Sequence, residues 1–209
     1  MLKIFALVLL FITSACAWTE ESVFIGRPSV SVSPVPGASL VSVTVVGNDV
    51  RVEREVSHKK NGYGMRGSNI NASNNISEEV RSGISDILTS QGFQSGSDIN
   101  LRVDLNRFYS MFDIGFWSAT ANAQAIATLT AATMDGRVIY TRSYTATHQE
   151  GGVQLMTGDN AALALRGALG VLMRQIADDA QLTRSLLDAA VSNRPDILPP
   201  RSTRFRTGS

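Results

Sequence analysis

Cys16 is the residue of this 209-residue chain whose position most directly implies a chemistry. It is the only cysteine, and it follows Lys3, an apolar run from Ile4 to Ile12, and Thr13-Ser14-Ala15. A basic start, a short apolar run and small residues at its end mark a bacterial export signal. A thiol placed just after such a signal can form a thioether to a diacylglycerol and become the lipidated N-terminus of the mature protein. A lone cysteine makes no internal disulfide, and lipidation gives the leftover thiol a role. The apolar run falls short of the roughly twenty residues that a spanning helix needs. One acyl chain holds only reversibly, at about 0.8 kcal/mol per buried CH₂, whereas the several chains on a lipoprotein cysteine hold for good. Ala17, rather than an aspartate, follows Cys16 and favours the outer membrane, with the domain facing the periplasm. A second outcome stays open, because Ala15-Cys16-Ala17 is also an A-x-A site. Cleavage there would release a soluble periplasmic protein beginning at Trp18.

Beyond Cys16 the chain offers few groups that could react. His58 lies in a polar segment and His148 at a strand end, neither beside other ligands at metal-binding spacing, so both are expected to be solvated. No G-x-S-x-G elbow, P-loop or H-E-x-x-H occurs. Asp178 and Asp179 are adjacent, so on a helix they point about 100° apart and suit a helix end better than an acid–base pair. The expectation is a non-enzymatic protein with no metal and no cofactor.

One stretch could instead make contacts. Phe108-Tyr109-Ser110-Met111-Phe112-Asp113-Ile114-Gly115-Phe116-Trp117 should be a hairpin with Asp113 to Gly115 at its tip. Turn tips are normally polar, yet Phe112, Ile114, Phe116 and Trp117 make this one apolar. Exposed apolar clusters mark contact sites, so these four are candidate contacts with a protein partner or a membrane. The plainer possibility is that alternate residues extend the core.

The elements that must position these residues follow from periodicity. Leu40 to Val46, β-branched and apolar, predicts a buried strand, and Asp49 to Val56 a more exposed second strand. Ser57 to Asn74, polar and glycine-rich, has no apolar period and predicts a long loop. Asn75 with Glu78 forms a capping-box arrangement, and Ile76, Val80, Ile84, Ile87 and Leu88 make one helical stripe that Gly92 ends. Leu101, Val103 and Leu105 alternate with polar residues as a strand. Alanines at 119, 121, 123, 125 and 127 alternate with Thr120, Asn122, Gln124, Ile126 and Thr128 as another. A row of methyl groups lets a helix lie close to the sheet. Asp135-Gly136 predicts a turn, and Val138 to Thr147 the return strand. A second helix begins near Asp159 or Asn160, with Leu165, Leu169, Leu172 and Ile176 in its stripe, and Leu182 to Val191 continues it as a short segment. Gly167 and Gly170 within it imply close packing on the alanine strand.

Strand, helix, three-stranded meander and helix give an α+β two-layer sandwich, a mostly antiparallel sheet of about four strands with two main helices on one face. Around this domain, at 39–192, lie the signal at 1–15, a tether at 16–38 and a basic tail at 193–209. Arg27-Pro28, Ser33-Pro34 and Pro36-Gly37 break regular structure in the tether, which could span about 70 Å fully extended. Loss of Lys3 leaves acidic and basic side chains balanced, so the chain lacks the basic excess of a nucleic-acid binder.

Val32-Ser33-Pro34, Val43-Thr44-Val45, Gln91-Gly92-Phe93, the Thr120 to Thr128 strand, Tyr144-Thr145-Ala146 and Glu150-Gly151 resemble the YajG-type lipoproteins of Gram-negative bacteria. That resemblance implies a domain anchored to the outer membrane through Cys16, of uncharacterised function, and supplies no catalytic residues. The expected role is a lipid-anchored module that binds an unknown envelope protein. A lipid- or small-ligand-binding accessory of an envelope transport system is the alternative. It requires a cavity between helices and sheet, which a row of alanines would close.

Overall fold

Asn75 opens the first helix, and its side chain accepts a hydrogen bond from Glu78 N at 3.3 Å. The helix, α1 (Ile76–Gln91), buries Ile76, Val80, Ile84, Ile87 and Leu88 and ends at Gly92, whose φ of +102° suits glycine. The capping box is half formed, because the Glu78 carboxylate turns to Arg81 and Ser82 instead of the backbone. The computed structural model that shows this describes residues 19–60, 64–115, 118–153 and 155–193.

The fold is α+β, as its order of elements predicts. Ahead of α1 lie β1 (Glu21–Val23), a 3-10 turn (Ala38–Leu40), β2 (Ser42–Asp49), β3 (Ser57–Lys60) and β4 (Arg66–Ala72). After it come β5 (Gln94–Ser95), β6 (Ile99–Ile114), β7 (Ala119–Thr133), β8 (Val138–Val153), α2 (Gly158–Ala177) and α3 (Ala180–Asn193). Five strands pair in the order β5-β2-β6-β7-β8. The meander β6-β7-β8 is antiparallel, whereas β2 runs parallel to both β5 and β6. A second sheet has the order β1-β4-β3.

The inner face of β7 is the predicted row of small residues. Ala121, Ala125, Ala127, Leu129 and Ala131 are fully buried, as are Leu165, Leu169 and Leu172 of the helix lying over them. Gly167 and Gly170 of α2 serve other neighbours. Gly167 faces the His148 ring, and Gly170 faces Pro28, where an added Cβ would stand 3.2 Å from the proline ring. The outer face carries Thr120, Asn122, Gln124, Thr128 and Thr130 of β7, half-buried, beside Thr141, Ser143, Thr145, Thr147 and Gln149 of β8, exposed.

Three sequence expectations change. First, 57–74 is not a loop. It forms β3 and β4, whose ladder is made by backbone groups while polar side chains hide any apolar period. Second, Asp49 to Val56 leaves the sheet after β2, because the Asp49 carboxylate binds Arg51 N and the Arg51 and Arg54 side chains and so turns the chain. Third, residues 19–38 are part of the domain. Ile25 is buried and exchanges two hydrogen bonds with Asn74, Val35 N donates to Gln91 O at 2.8 Å, and Arg27 pairs with Glu79 and Asp86.

Candidate functional site

Asp179 begins α3, as its reading as a helix-end residue predicts, and takes on more partners than that role needs. One carboxylate oxygen accepts from Gln181 N and Leu182 N at 2.8 and 2.9 Å, satisfying amides that the helix leaves unpaired. The other accepts from the Tyr140 and Tyr144 hydroxyls, each at 2.8 Å, and from Arg142 Nη1 at 2.6 Å. Burial by itself would raise the Asp179 pKa. The donors, led by Leu182 N and the two phenols, outweigh it and hold the carboxyl at about 2. Burial pushes the Tyr144 hydroxyl far above its usual range, with Tyr140 and Asp179 adding to the shift. A carboxylate this acidic takes no proton near neutral pH, so the cluster clamps α3 to β8.

His58 and His148, expected to be solvated, are half-buried and have side-chain partners. On the open face of the sheets, His58 Nδ1 shares a hydrogen bond with the Tyr109 hydroxyl, while the Arg107 guanidinium lies 5.5 Å over the Tyr109 ring. Burial first, then the charges of Arg66 and Lys60, lowers the His58 pKa, and burial raises that of Tyr109. Arg107 and Arg66 pair with Glu53 and Glu55. His148 packs over Gly167, with its Nε2 3.7 Å from Glu150. Among the described residues no three His, Cys, Asp or Glu side chains gather as a metal site. No described helix is long and apolar enough to cross a membrane.

The structure separates the four apolar contact candidates. Phe112 points inward and is 0% exposed, so it is a core residue, because β6 continues through it opposite Ala121. Ile114 is 48% exposed. Phe116, Trp117 and the lipidation candidate Cys16 lie outside the described residues.

Sequence reading missed where the chain enters the domain. The Thr19 carbonyl accepts from Lys59 Nζ at 3.0 Å and from Ser68 Oγ at 2.8 Å. The adjacent Lys60 Nζ donates to Phe112 O at 2.5 Å, two residues before the exposed Ile114. Thr19 and the end of β6 are thus held by neighbouring lysines.

Sequence reading also missed a free edge. β8 stands last in its sheet, and its pairing with β7 runs without a register shift from Tyr140 to Glu150. Protected edges carry lysine, proline or a bulge. β8 contains no lysine and no proline, its register shifts fall at its two ends, and among the described residues Gln175 Nε2 donates to the Thr145 carbonyl at 3.2 Å.

Residues 28–186 match the model of a family described as uncharacterized lipoprotein. No curated protein matches the chain significantly. Among solved structures, a Xanthomonas campestris protein is 15% identical with a TM-score of 0.53, over 85% of this chain and 99% of that one. A Helicobacter pylori protein described as a neuraminyllactose-binding hemagglutinin homologue is 11% identical with a TM-score of 0.54, over 82% and 100%. A minor lipoprotein of Acinetobacter baumannii is 15% identical with a TM-score of 0.39, over 51% and 86%. At such identities the first two likenesses are likenesses of fold.

Proposed function

We propose, from the premise that the chain belongs to this family of uncharacterized lipoproteins, that it is a non-enzymatic protein-binding module of the Gram-negative envelope. In this reading it is of the YajG type, held on the periplasmic face of the outer membrane by a lipidated Cys16. The observation that carries the binding role is the unguarded edge of β8, an unbroken ladder from Tyr140 to Glu150 with backbone groups available to a partner's strand. The closed contact between the alanines of β7 and the leucines of α2 counts against the carrier alternative, which needs space for a ligand there.

Two measurements test it. Cys16→Ser should abolish labelling by a palmitate analogue and release the protein from envelope membranes, since serine forms no thioether. An unlabelled wild-type product beginning at Trp18 would overturn the anchor. Photo-crosslinkers placed at Thr141, Thr145 and Gln149 in intact cells should trap a discrete adduct that a crosslinker at Val46, on the opposite side of the sheet, does not. Absence of such an adduct would overturn the binding role of the edge.

A further inference from the structure

We infer that one end of the domain rests on the lipid bilayer, making contact through Met65, Ile114, Leu155 and Leu163. The inference depends on the lipidation of Cys16 proposed above and adds to it the orientation of the domain.

The chain path supplies the first constraint. Cys16 precedes Thr19 by three residues. Three extended residues reach at most about 10 Å. Thr19 is itself fastened to the domain through Lys59 and Ser68, so the lipidated residue has no long spacer. The end of the domain that holds Thr19 is therefore the end nearest the acyl chains.

Topology defines what else lies there. β1 runs parallel to β4, with Glu21 opposite Ile70, so Thr19 points toward the start of β4 and the end of β3. Lys60, the last residue of β3, holds the Phe112 carbonyl near the end of β6. Ala119, where β7 begins, pairs with Val153, where β8 finishes. Glu21 accepts from Gly158 N, the first residue of α2. Thr19, the facing ends of β3 and β4, the facing ends of β6 and β7, the end of β8 and the start of α2 all lie at one end.

That end presents apolar side chains to solvent from beside β4, from the end of β6, from beyond the end of β8 and from the second turn of α2. Met65 is 59% exposed, Ile114 48%, Leu155 68% and Leu163 45%, and the last two line one shallow depression with Gly151, Gly152 and Val153. Exposed apolar groups gathered from separate segments mark a contact surface. An anchor three residues from Thr19 keeps a bilayer beside this end permanently, whereas a protein partner would have to compete for the same space. Apolar side chains that enter the head-group boundary add burial to the anchor's own and fix the tilt of the domain.

Brominated lipids test the orientation on the full, lipidated chain. Trp18 and Trp117 are replaced by Phe, and a single Trp is placed by Ile114→Trp, Leu155→Trp or Met134→Trp. Met134 lies at the β7–β8 turn, at the other end of those strands, and is 75% exposed. In vesicles of phosphatidylethanolamine and phosphatidylglycerol with brominated acyl chains, positions 114 and 155 should be quenched several-fold more than 134. Equal quenching at all three, or none at 114 and 155, would overturn the orientation even though the protein floats with the vesicles. Failure to float, with an unacylated mass, would instead remove the anchor and the orientation with it. An envelope protein crosslinked from Ile114 in place of quenching would assign this end to a protein and overturn the bilayer.

Discussion

Gly167 on α2 and His148 on β8 approach so closely that a Cβ at position 167 would overlap the imidazole ring. Elsewhere in a helix alanine is favoured over glycine by about 1 kcal/mol, so the contact reverses a general preference. Gly167→Ala should lower stability by about 1 kcal/mol, as overpacking does. Once His148→Ala has emptied the space, the same change should raise stability. Urea unfolding of the four proteins of this cycle checks the reversal of sign, and equal effects in both backgrounds would refute it.

Asp179 makes the protein acid-sensitive over a defined range. Its carboxyl titrates at about 2 in the fold against an ordinary 3.8, so the folded state binds that proton less readily than the unfolded chain. The resulting stability is fully present above about pH 4 and is lost as the pH falls through 2. Nearly two units correspond to roughly 2 kcal/mol. Asp179→Asn should be less stable than wild type at pH 7, and the gap should narrow steadily between pH 4 and pH 2. Unfolding midpoints across that range measure it.

Phe112 and Ile114 lie two residues apart on one strand and should respond oppositely to truncation. Phe112→Ala opens a cavity in the core and should cost about 3–5 kcal/mol. Ile114→Ala removes an exposed side chain and should cost less than about 1 kcal/mol. Thermal unfolding of the two variants compares them directly, and similar losses would contradict the placement of Phe112.

His58 should titrate below the ordinary 6.5, because burial and then Arg66 and Lys60 disfavour its cation. Its contribution to stability is complete above pH 6.5 and declines as pH falls through the lowered value. An NMR titration of the imidazole protons reads the midpoint, and Arg66→Gln should move it upward. A midpoint above 6.5 in the wild type would show that the ring is not held as described.

What the sequence determined by itself was local. Asn75 and Gly92 bound α1 because capping depends on residues within one turn, and the alanines of β7 announced their strand because alternation needs no knowledge of a partner. The apolar stripes of α1 and α2 likewise named their buried faces in advance. What tertiary structure decided was every relationship between distant segments. The parallel pairing of β2 with β6, and the pairing of β4 with β3 and β1, depend on backbone groups that every residue but proline possesses. Such ladders between polar strands leave no pattern in side-chain type. Asp179 could be read as a helix cap from its neighbours, but its phenol donors are 35 and 39 residues away and met it only when β8 packed on α3. Residues 19–38 looked like a tether because their prolines break regular structure, yet Ile25 and Val35 found apolar and backbone partners that only the folded domain supplies. The gathering of chain entry, hairpin and helix start at one end is of the same kind: it is set by strand directions and lengths, which no single segment encodes.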